Sequence, residues 1–270
     1  HLSTRRQRQM CIRDRPQILA TRAMAGVSDP DTSVILFWMW GGPSQLETYD
    51  MKPDAPAEYR GPLNPIQTTV PGMDICEYMP RQAKMAERFS IIRSLYHTMS
   101  SHNDGSIEVL TGQTPRVPDP TSTAKSEHPD FGMVASHVRG PRADGVPQYV
   151  GAQKAPFMTR PMYLGVSHKA FETGDPSKKT YAPKNPTLAT GINSERLSDR
   201  RSLVAGFDRM RRDLDHGGSL NAIDEFRASA FNILTSSKVA NAFDISQETP
   251  ETRDRYGRHR WGQSLSLIHI

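Results

Sequence analysis

Residues 34–44 read Val-Ile-Leu-Phe-Trp-Met-Trp-Gly-Gly-Pro-Ser, and this stretch decides the fold class. Seven apolar residues, most of them β-branched or aromatic, stand together without polar alternation and stop at Gly41-Gly42-Pro43. A strand with one wet face alternates apolar and polar side chains. A short continuous run belongs instead to a strand covered on both faces, as in a parallel sheet between layers of helices. The run predicts a strand over 34–40 and an α/β layered domain. In open α/β sheets ligands gather beyond the carboxyl ends of the strands, so loop 41–50 is where chemistry is sought first.

Working outward, residues 51–72 are Pro-rich and polar and read as a surface excursion. Residues 80–87 suit a short helix. Residues 89–95 (Phe-Ser-Ile-Ile-Arg-Ser-Leu) read as a second buried strand, running into His97-Thr98-Met99-Ser100-Ser101-His102-Asn103. Residues 105–110 suit a helix, with Gly112 as its C-cap. Between 113 and 195, Pro, Gly, Lys and Asp punctuate the chain, and the pattern predicts only a helix near 131–138 and brief strands near 149–150 and 162–164. Leu203, Phe207, Met210 and Leu214 recur at helical spacing and predict an amphipathic helix ending near His216-Gly217-Gly218. A second helix is expected from Ser219 through Ile223, Phe226, Ala230 and Ile233 toward Phe243, and a third over 250–264. Their apolar stripes read as core-facing.

Both ends read as translated adaptor rather than natural protein. Leu265-Ser266-Leu267-Ile268-His269-Ile270 is what CTGTCTCTTATACACATC encodes, a transposon end used in sequencing libraries, and residues 5–14 translate its partner. The expectation is therefore non-native sequence over 1–15 and 265–270, a linker or the end of an export signal over 16–32, and an incomplete domain over 33–264. An incomplete sheet would leave an unpaired edge and an unstable fragment. The whole chain holds 34 basic and 29 acidic residues, a net charge of +5. Residues 1–15 contribute five Arg against Asp14, so the remainder carries 29 against 28. Near neutrality removes the net-charge argument for nucleic acid or an anionic membrane as a partner. The twin-arginine look of Arg5-Arg6 falls in the same segment and is not counted.

Of the two cysteines, Cys11 lies in the adaptor segment, leaving Cys76 alone, so there is no disulfide framework. Cys76 reads as a buried small hydrophobe. The longest apolar run is far shorter than the roughly 20 residues a membrane-spanning helix needs, and no transmembrane segment is expected. Ala23-Met24-Ala25 has the small-x-small form of a signal-peptidase site without the apolar stretch that should precede it.

Two loops collect polar groups after the expected strands. In the first, Ser44, Glu47 and Asp50 offer a hydroxyl and hard oxygen ligands suited to a divalent metal. In the second, Ser100, Ser101, His102, Asn103 and Asp104 set hydroxyl, imidazole, amide and carboxylate side by side. Each has a plainer reading: Asp and Ser after a strand form turns or cap helices, and His102 suits a solvated loop. Both readings stand at this point. Nucleotide-binding glycine loops, the zinc-protease HExxH, paired CxxC and the GxSxG elbow are all absent. His97, His128, His137, His168, His216 and His259 are too scattered to name as a ligand set.

The block Gly41-Gly42-Pro43-Ser44-Gln45-Leu46-Glu47-Thr48-Tyr49-Asp50-Met51-Lys52-Pro53 resembles the opening motif of a bacterial family called domain of unknown function fifteen-oh-one. Cys76-Glu77, Pro80, Ile91-Ile92-Arg93-Ser94, His102-Asn103, Leu110-Thr111-Gly112 and Pro129-Asp130-Phe131-Gly132 continue the likeness in order, over most of residues 33–264. The resemblance implies a three-layer α/β/α sandwich of alkaline-phosphatase and sulfatase type, truncated here, in an exported periplasmic or cell-surface protein. It implies a divalent metal (Zn, Ca or Mg) and a small-molecule or glycan ester substrate. Carried over residue by residue, it makes Ser100, Ser101 and His102 catalytic candidates, Glu47, Asp50 and Asn103 metal-ligand candidates, and Ser44 and Arg93 substrate-binding candidates. Two departures stand out. No Asp follows the first expected strand directly, and the sulfatase Cys-x-Pro-x-Arg motif is missing, which argues against a formylglycine enzyme. The expectation is a metal-dependent phosphate or sulfate ester hydrolase, against which stands a non-catalytic surface module retaining the fold.

Overall fold

Two short strands form on either side of a turn, each with an Ile at its middle position. Pro65–Gln67 (β1) pairs antiparallel with Asp74–Cys76 (β2), with Ile66 opposite Ile75. The turn between them requires left-handed backbone at Gly72 (φ 77°), which glycine adopts without a Cβ penalty. A one-turn helix, Ala57–Arg60 (α1), precedes β1. Pro80–Ala83 (α2) follows β2 and starts on Pro80, whose missing N–H has no intrahelical partner to lose. α2 packs on both strands, and Ile75, Cys76, Ala83 and Ala86 are buried there. Cys76 is a free, buried thiol.

The computed structural model describes residues 32–39, 41–179, 181, 199, 202, 226–228, 230–234 and 236–270. Over these residues the chain is a mixed α/β fold of short helices and two small sheets. His102–Thr111 (α3) ends at Gly112, whose φ of 70° lets its N–H return to the Glu108 carbonyl at 2.9 Å. Ile107 and Leu110 of α3 pack with Met158, and Trp38 lies against them. Phe131–Arg139 (α4) follows. Val150–Gly151 (β3) and Phe171–Glu172 (β4) then pair in parallel. Ser237–Ala242 (α5), Pro250–Tyr256 (α6) and Arg260–Leu267 (α7) close the chain. Val239, Phe243, Ile245 and Leu267 form their core, with Phe171 of β4 stacked 4.9 Å from Phe243.

α4 is anchored by a buried polar knot. Asp130 caps the helix by accepting the Met133 N–H at 2.9 Å, and its other oxygen accepts the Thr159 hydroxyl at 2.7 Å and the Tyr149 hydroxyl at 3.3 Å. Burial, with the Asp130 carboxylate beside it, pushes the Tyr149 phenol well above its ordinary pKa.

Several elements depart from expectation. Residues 34–39 and 89–95 are not strands: Val34 is 81% exposed and Ile92 76%. A strand needs a neighbour for its N–H and C=O groups, and among the described residues no strand lies beside either run. Residues 162–164 form a 3-10 turn, because Met162 at φ 44° and Gly165 at φ 89° bend the chain after Pro161. Of the helix expected from 219 to 243, residues 219–225 lie outside the described residues, and the described part is interrupted where the Ser236 hydroxyl accepts the Val239 N–H and starts α5 afresh. The third expected helix breaks at Gly257 (φ 87°) into α6 and α7, and α7 runs on to Leu267. The helix expected over 203–214 lies outside the described residues. The helices over 102–111 and 131–139 and the strand at 150–151 agree with expectation.

A β-carbon on Gly132 would stand 2.6 Å from the Tyr149 ring. Gly to Ala inside a helix ordinarily gains about 1 kcal/mol. Here the ring is tied to Asp130, and overpacking costs of about 1–3 kcal/mol apply. Gly132→Ala is therefore expected to lower the denaturant-unfolding free energy, whereas the exposed Ala135→Gly should show only the ordinary propensity loss.

Candidate functional site

The first loop is wound on itself. Ser44 accepts the Leu46 N–H at 3.2 Å and so caps the 3-10 turn Gln45–Glu47. Buried Thr48 donates its hydroxyl to the Ser44 carbonyl at 3.0 Å, and its own carbonyl accepts the Cys76 N–H at 2.9 Å, which fastens the loop to β2. Glu47 lies over Gly61, where a β-carbon would meet its side chain at 3.2 Å. Asp50 is held by Lys52 at 2.7 Å and by Arg93 at 3.4 Å.

Arg93 joins the two regions. Its Nε donates to the Tyr49 carbonyl at 3.0 Å and its Nη2 to the Asp74 carbonyl at 3.3 Å. A guanidinium carries five donors in a planar fork, so one side chain can bind two carbonyls and a carboxylate at once. The segment 89–95 thus meets the first loop through a side-chain clamp rather than a strand ladder. Beside the first loop lies a groove of about 640 Å³ whose walls include Lys52, Arg60, Glu58 and Leu63.

The second region is the first turn of α3. Ser101 is its N-cap, with Oγ accepting the Asp104 N–H at 3.1 Å, while Ser100 and His102 are exposed. In a capping box the acid at the third helical position reaches back to the cap residue. Asp104 instead turns outward from the helix and accepts the Asp119 N–H at 2.7 Å. Asn103 donates to the Ala124 carbonyl at 2.7 Å. Loop 119–124 therefore hangs from the helix start. Asn103 is 0% and Asp104 1% exposed. Their Oδ1 atoms are both buried without a hydrogen-bond partner, and no cationic side chain pairs with Asp104 among the described residues. Burying an unpaired carboxylate costs several kcal/mol, and buried charges are normally paired or bound to metal.

Residues 97–101 fold back over the same helix. The His97 ring lies on Gly105, where a β-carbon would meet Cε1 at 2.9 Å, and Thr98 donates its N–H and hydroxyl to Glu108 at 3.2 and 2.9 Å. One helical face thus carries Ser101, the His97 ring and Glu108.

The family profile described as Protein of unknown function (DUF1501) matches residues 31–266. The chain belongs to this family. Comparison with curated proteins and with solved structures returned no match. The DUF1501 match takes in both loops, the clamp and α3, and it continues through residues 265 and 266 of α7.

Of the residues singled out from sequence, the structure brings Asp50 and Arg93 together and sets Ser101, His102 and Asn103 on one helical turn. Ser44 and Ser101 act as caps, and Arg93 is committed to loop carbonyls. His97 and Glu108 were not given site roles from sequence, and Asp104 was named with the second loop's polar groups but not as a ligand. Two signals were readable: Ser101-x-x-Asp104 is a capping-box pattern, and a glycine inside a helix, here Gly105, marks a close approach.

Asp119 seals loop 119–124 by accepting from Thr121, Thr123 and Ala124. The Thr121 hydroxyl, then the Ala124 N–H, holds its carboxyl well below the ordinary value of 3.8. A carboxylate depressed on folding adds stability that is complete above its unfolded pKa and is lost as pH falls through the folded one. Protection of the Ala124 amide from hydrogen exchange, relative to its intrinsic rate at each pH, is accordingly expected to hold down to about pH 3.8 and to fall below it. In Asp119→Asn, exchange should be faster at neutral pH and less sensitive to acid.

Proposed function

We propose that this DUF1501 chain is a metal-dependent hydrolase of phosphate or sulfate esters whose reactive centre is the first turn of α3. The observation that carries the reading is the buried pair of unpartnered oxygens, Asn103 Oδ1 and Asp104 Oδ1. Both are hard donors, which suit Mg²⁺ or Ca²⁺ better than Zn²⁺ with its preference for nitrogen and sulfur. Two oxygens do not complete a shell, and among the described residues no group of three or more His, Cys, Asp and Glu converges. A bound cation would stabilise charge developing on the ester oxygens and on the attacking hydroxyl. Asn103 and Asp104 would hold it with water completing the shell, and Glu47 and Asp50 do not join Asp104 in one ligand group, since no three such side chains converge among the described residues.

Ser101 is the better placed of the two serine candidates. The Asp104 N–H already donates to its Oγ, and the positive end of the α3 dipole lies there; both favour an alkoxide over the neutral hydroxyl. Ser100 is the neighbouring alternative. Exposed His102, the first residue of α3, would protonate a leaving group, and Arg60, in the groove beside the first loop, would meet an anionic ester, small-molecule or glycan-borne. Ser44 and Arg93 would contribute to substrate binding only through the loop they shape.

The same proposal takes the domain as part of a three-layer α/β/α sandwich in an exported protein. Its support is the family resemblance and the apolar side chains left exposed over 34–37 and at Ile92, Leu95 and Tyr96, as an uncovered face would be. Among the described residues no helix is long and apolar enough to cross a membrane. One observation favours a second reading, a binding or assembly module without catalysis: Asp50 is already neutralised by Lys52 and Arg93.

The two readings separate on turnover. With Mg²⁺, Ca²⁺ or Zn²⁺ supplied, the chain is expected to hydrolyse an aryl phosphate or aryl sulfate. Ser101→Ala should lower kcat by about 100-fold or more, while Ser100→Ala costs less. Absence of turnover with every metal, or full activity in both serine variants, would remove the hydrolase reading.

A further inference from the structure

α4 presents Ser136 and His137 next to each other, and the 3-10 turn Val166–His168 brings a second imidazole against both. Ser136 Oγ lies 3.2 Å from His168 Nδ1, and His137 Nδ1 lies 3.2 Å from His168 Nε2. The rings are nearly perpendicular, with centroids 4.9 Å apart. His137 is exposed and His168 half-buried, so the pair is open to solvent on one side.

The contacts can run in either direction, and one of the two arrangements suits a metal. If His168 Nδ1–H donates to Ser136 Oγ, the Nε2 lone pair faces His137, whose Nδ1–H then fills the contact. That proton bridges the two imidazole nitrogens. We propose that it can be replaced by a borderline divalent cation, Zn²⁺ being the type, so that His137 Nδ1 and His168 Nε2 form a two-imidazole metal site.

Three observations support this. The first is spacing: nitrogens about 2.0–2.1 Å from zinc stand about 3.3–3.4 Å apart at the tetrahedral angle, or about 2.9 Å apart at a right angle. The observed 3.2 Å falls between these two edges. The second is orientation, because a metal-bound His donates its other ring N–H to an outer acceptor that fixes the tautomer, and Ser136 is that acceptor for His168. The third is proton balance. His137 needs only to lose its proton from Nδ1 and regain one at Nε2, through solvent it already touches, so neutral rings release no net proton on loading. Among the described residues no third His, Cys, Asp or Glu converges there. The remaining positions would go to water or an added ligand, as in open zinc sites. Imidazole donors distinguish the site from the all-oxygen pair at Asn103 and Asp104.

The test is titration of the full chain with Zn²⁺ by calorimetry and with Co²⁺ by visible absorption, at neutral pH. Wild type is expected to bind one Zn²⁺ with nitrogen-type Co²⁺ bands. His168→Ala and His137→Gln should each weaken binding at least 10-fold, and Ser136→Ala by roughly 10-fold, as loss of an outer-shell partner does. The control His128→Ala should leave it unchanged, and Asp104→Asn separates this site from the oxygen pair on α3. Circular dichroism checks folding, and exposed His137 provides a variant that spares the fold. No uptake by wild type, undiminished uptake in His137→Gln and His168→Ala, or loss confined to Asp104→Asn would overturn the proposal.

Discussion

A buried carboxylate on α3 ties two parts of this molecule together. Asp104 sits one turn into α3 with 1% of its surface exposed, and it does not close the capping box its position would allow. It reaches across to the Asp119 N–H, while Asn103 beside it takes the Ala124 carbonyl. Those two bonds tie a six-residue loop to the start of a ten-residue helix, and the loop's own carboxylate, Asp119, then secures its backbone from the far side. The helix dipole favours the negative charge. What remains unbalanced is one oxygen on each of Asn103 and Asp104, in a place water does not reach freely.

Helices were more legible than strands for a physical reason. A helix satisfies its hydrogen bonds within one segment, so Ser101, Gly112, Asp130 and Gly140 at its ends declare it locally. A strand is only half of a structure. Residues 34–40 and 89–95 carry the side chains of buried strands, but forming one depends on a neighbour that local sequence does not reveal. In their place the chain uses side chains as fasteners: Arg93 clamps the first loop to β2, and Trp38 lies across Ile107, Leu110 and Met158. The split of the expected long helices at Ser236 and Gly257 likewise turns on one hydroxyl and one positive φ, details too small to show in an apolar stripe.

The candidate site was legible as a place but not as a set of partners. Ser100 through Asn103 stood out by chemistry, and the structure puts Ser101, His102 and Asn103 on one turn. Asp50 and Asp104 looked alike in sequence, two acids in polar loops, yet one is held by Lys52 and Arg93 while the other is buried with no cation paired to it among the described residues. Burial and pairing, which decide whether a carboxylate seeks a cation, are properties of the folded chain. His97 was visible only as one histidine among several until Gly105 made room for its ring.

The central claim is that Asp104 and Asn103 hold a cation. Asp104→Asn tests it by thermal unfolding with and without Mg²⁺ or Ca²⁺, because the amide oxygen can still accept the Asp119 N–H while an NH₂ group replaces the unpartnered oxygen. Without cation the variant should be at least as stable as wild type, having lost an unpaired buried charge. A cation at a hundredfold excess over its Kd should stabilise wild type by about 2.7 kcal/mol, a midpoint rise of several degrees, and leave the variant unmoved. Equal rises in both proteins, or none in wild type, would contradict the account.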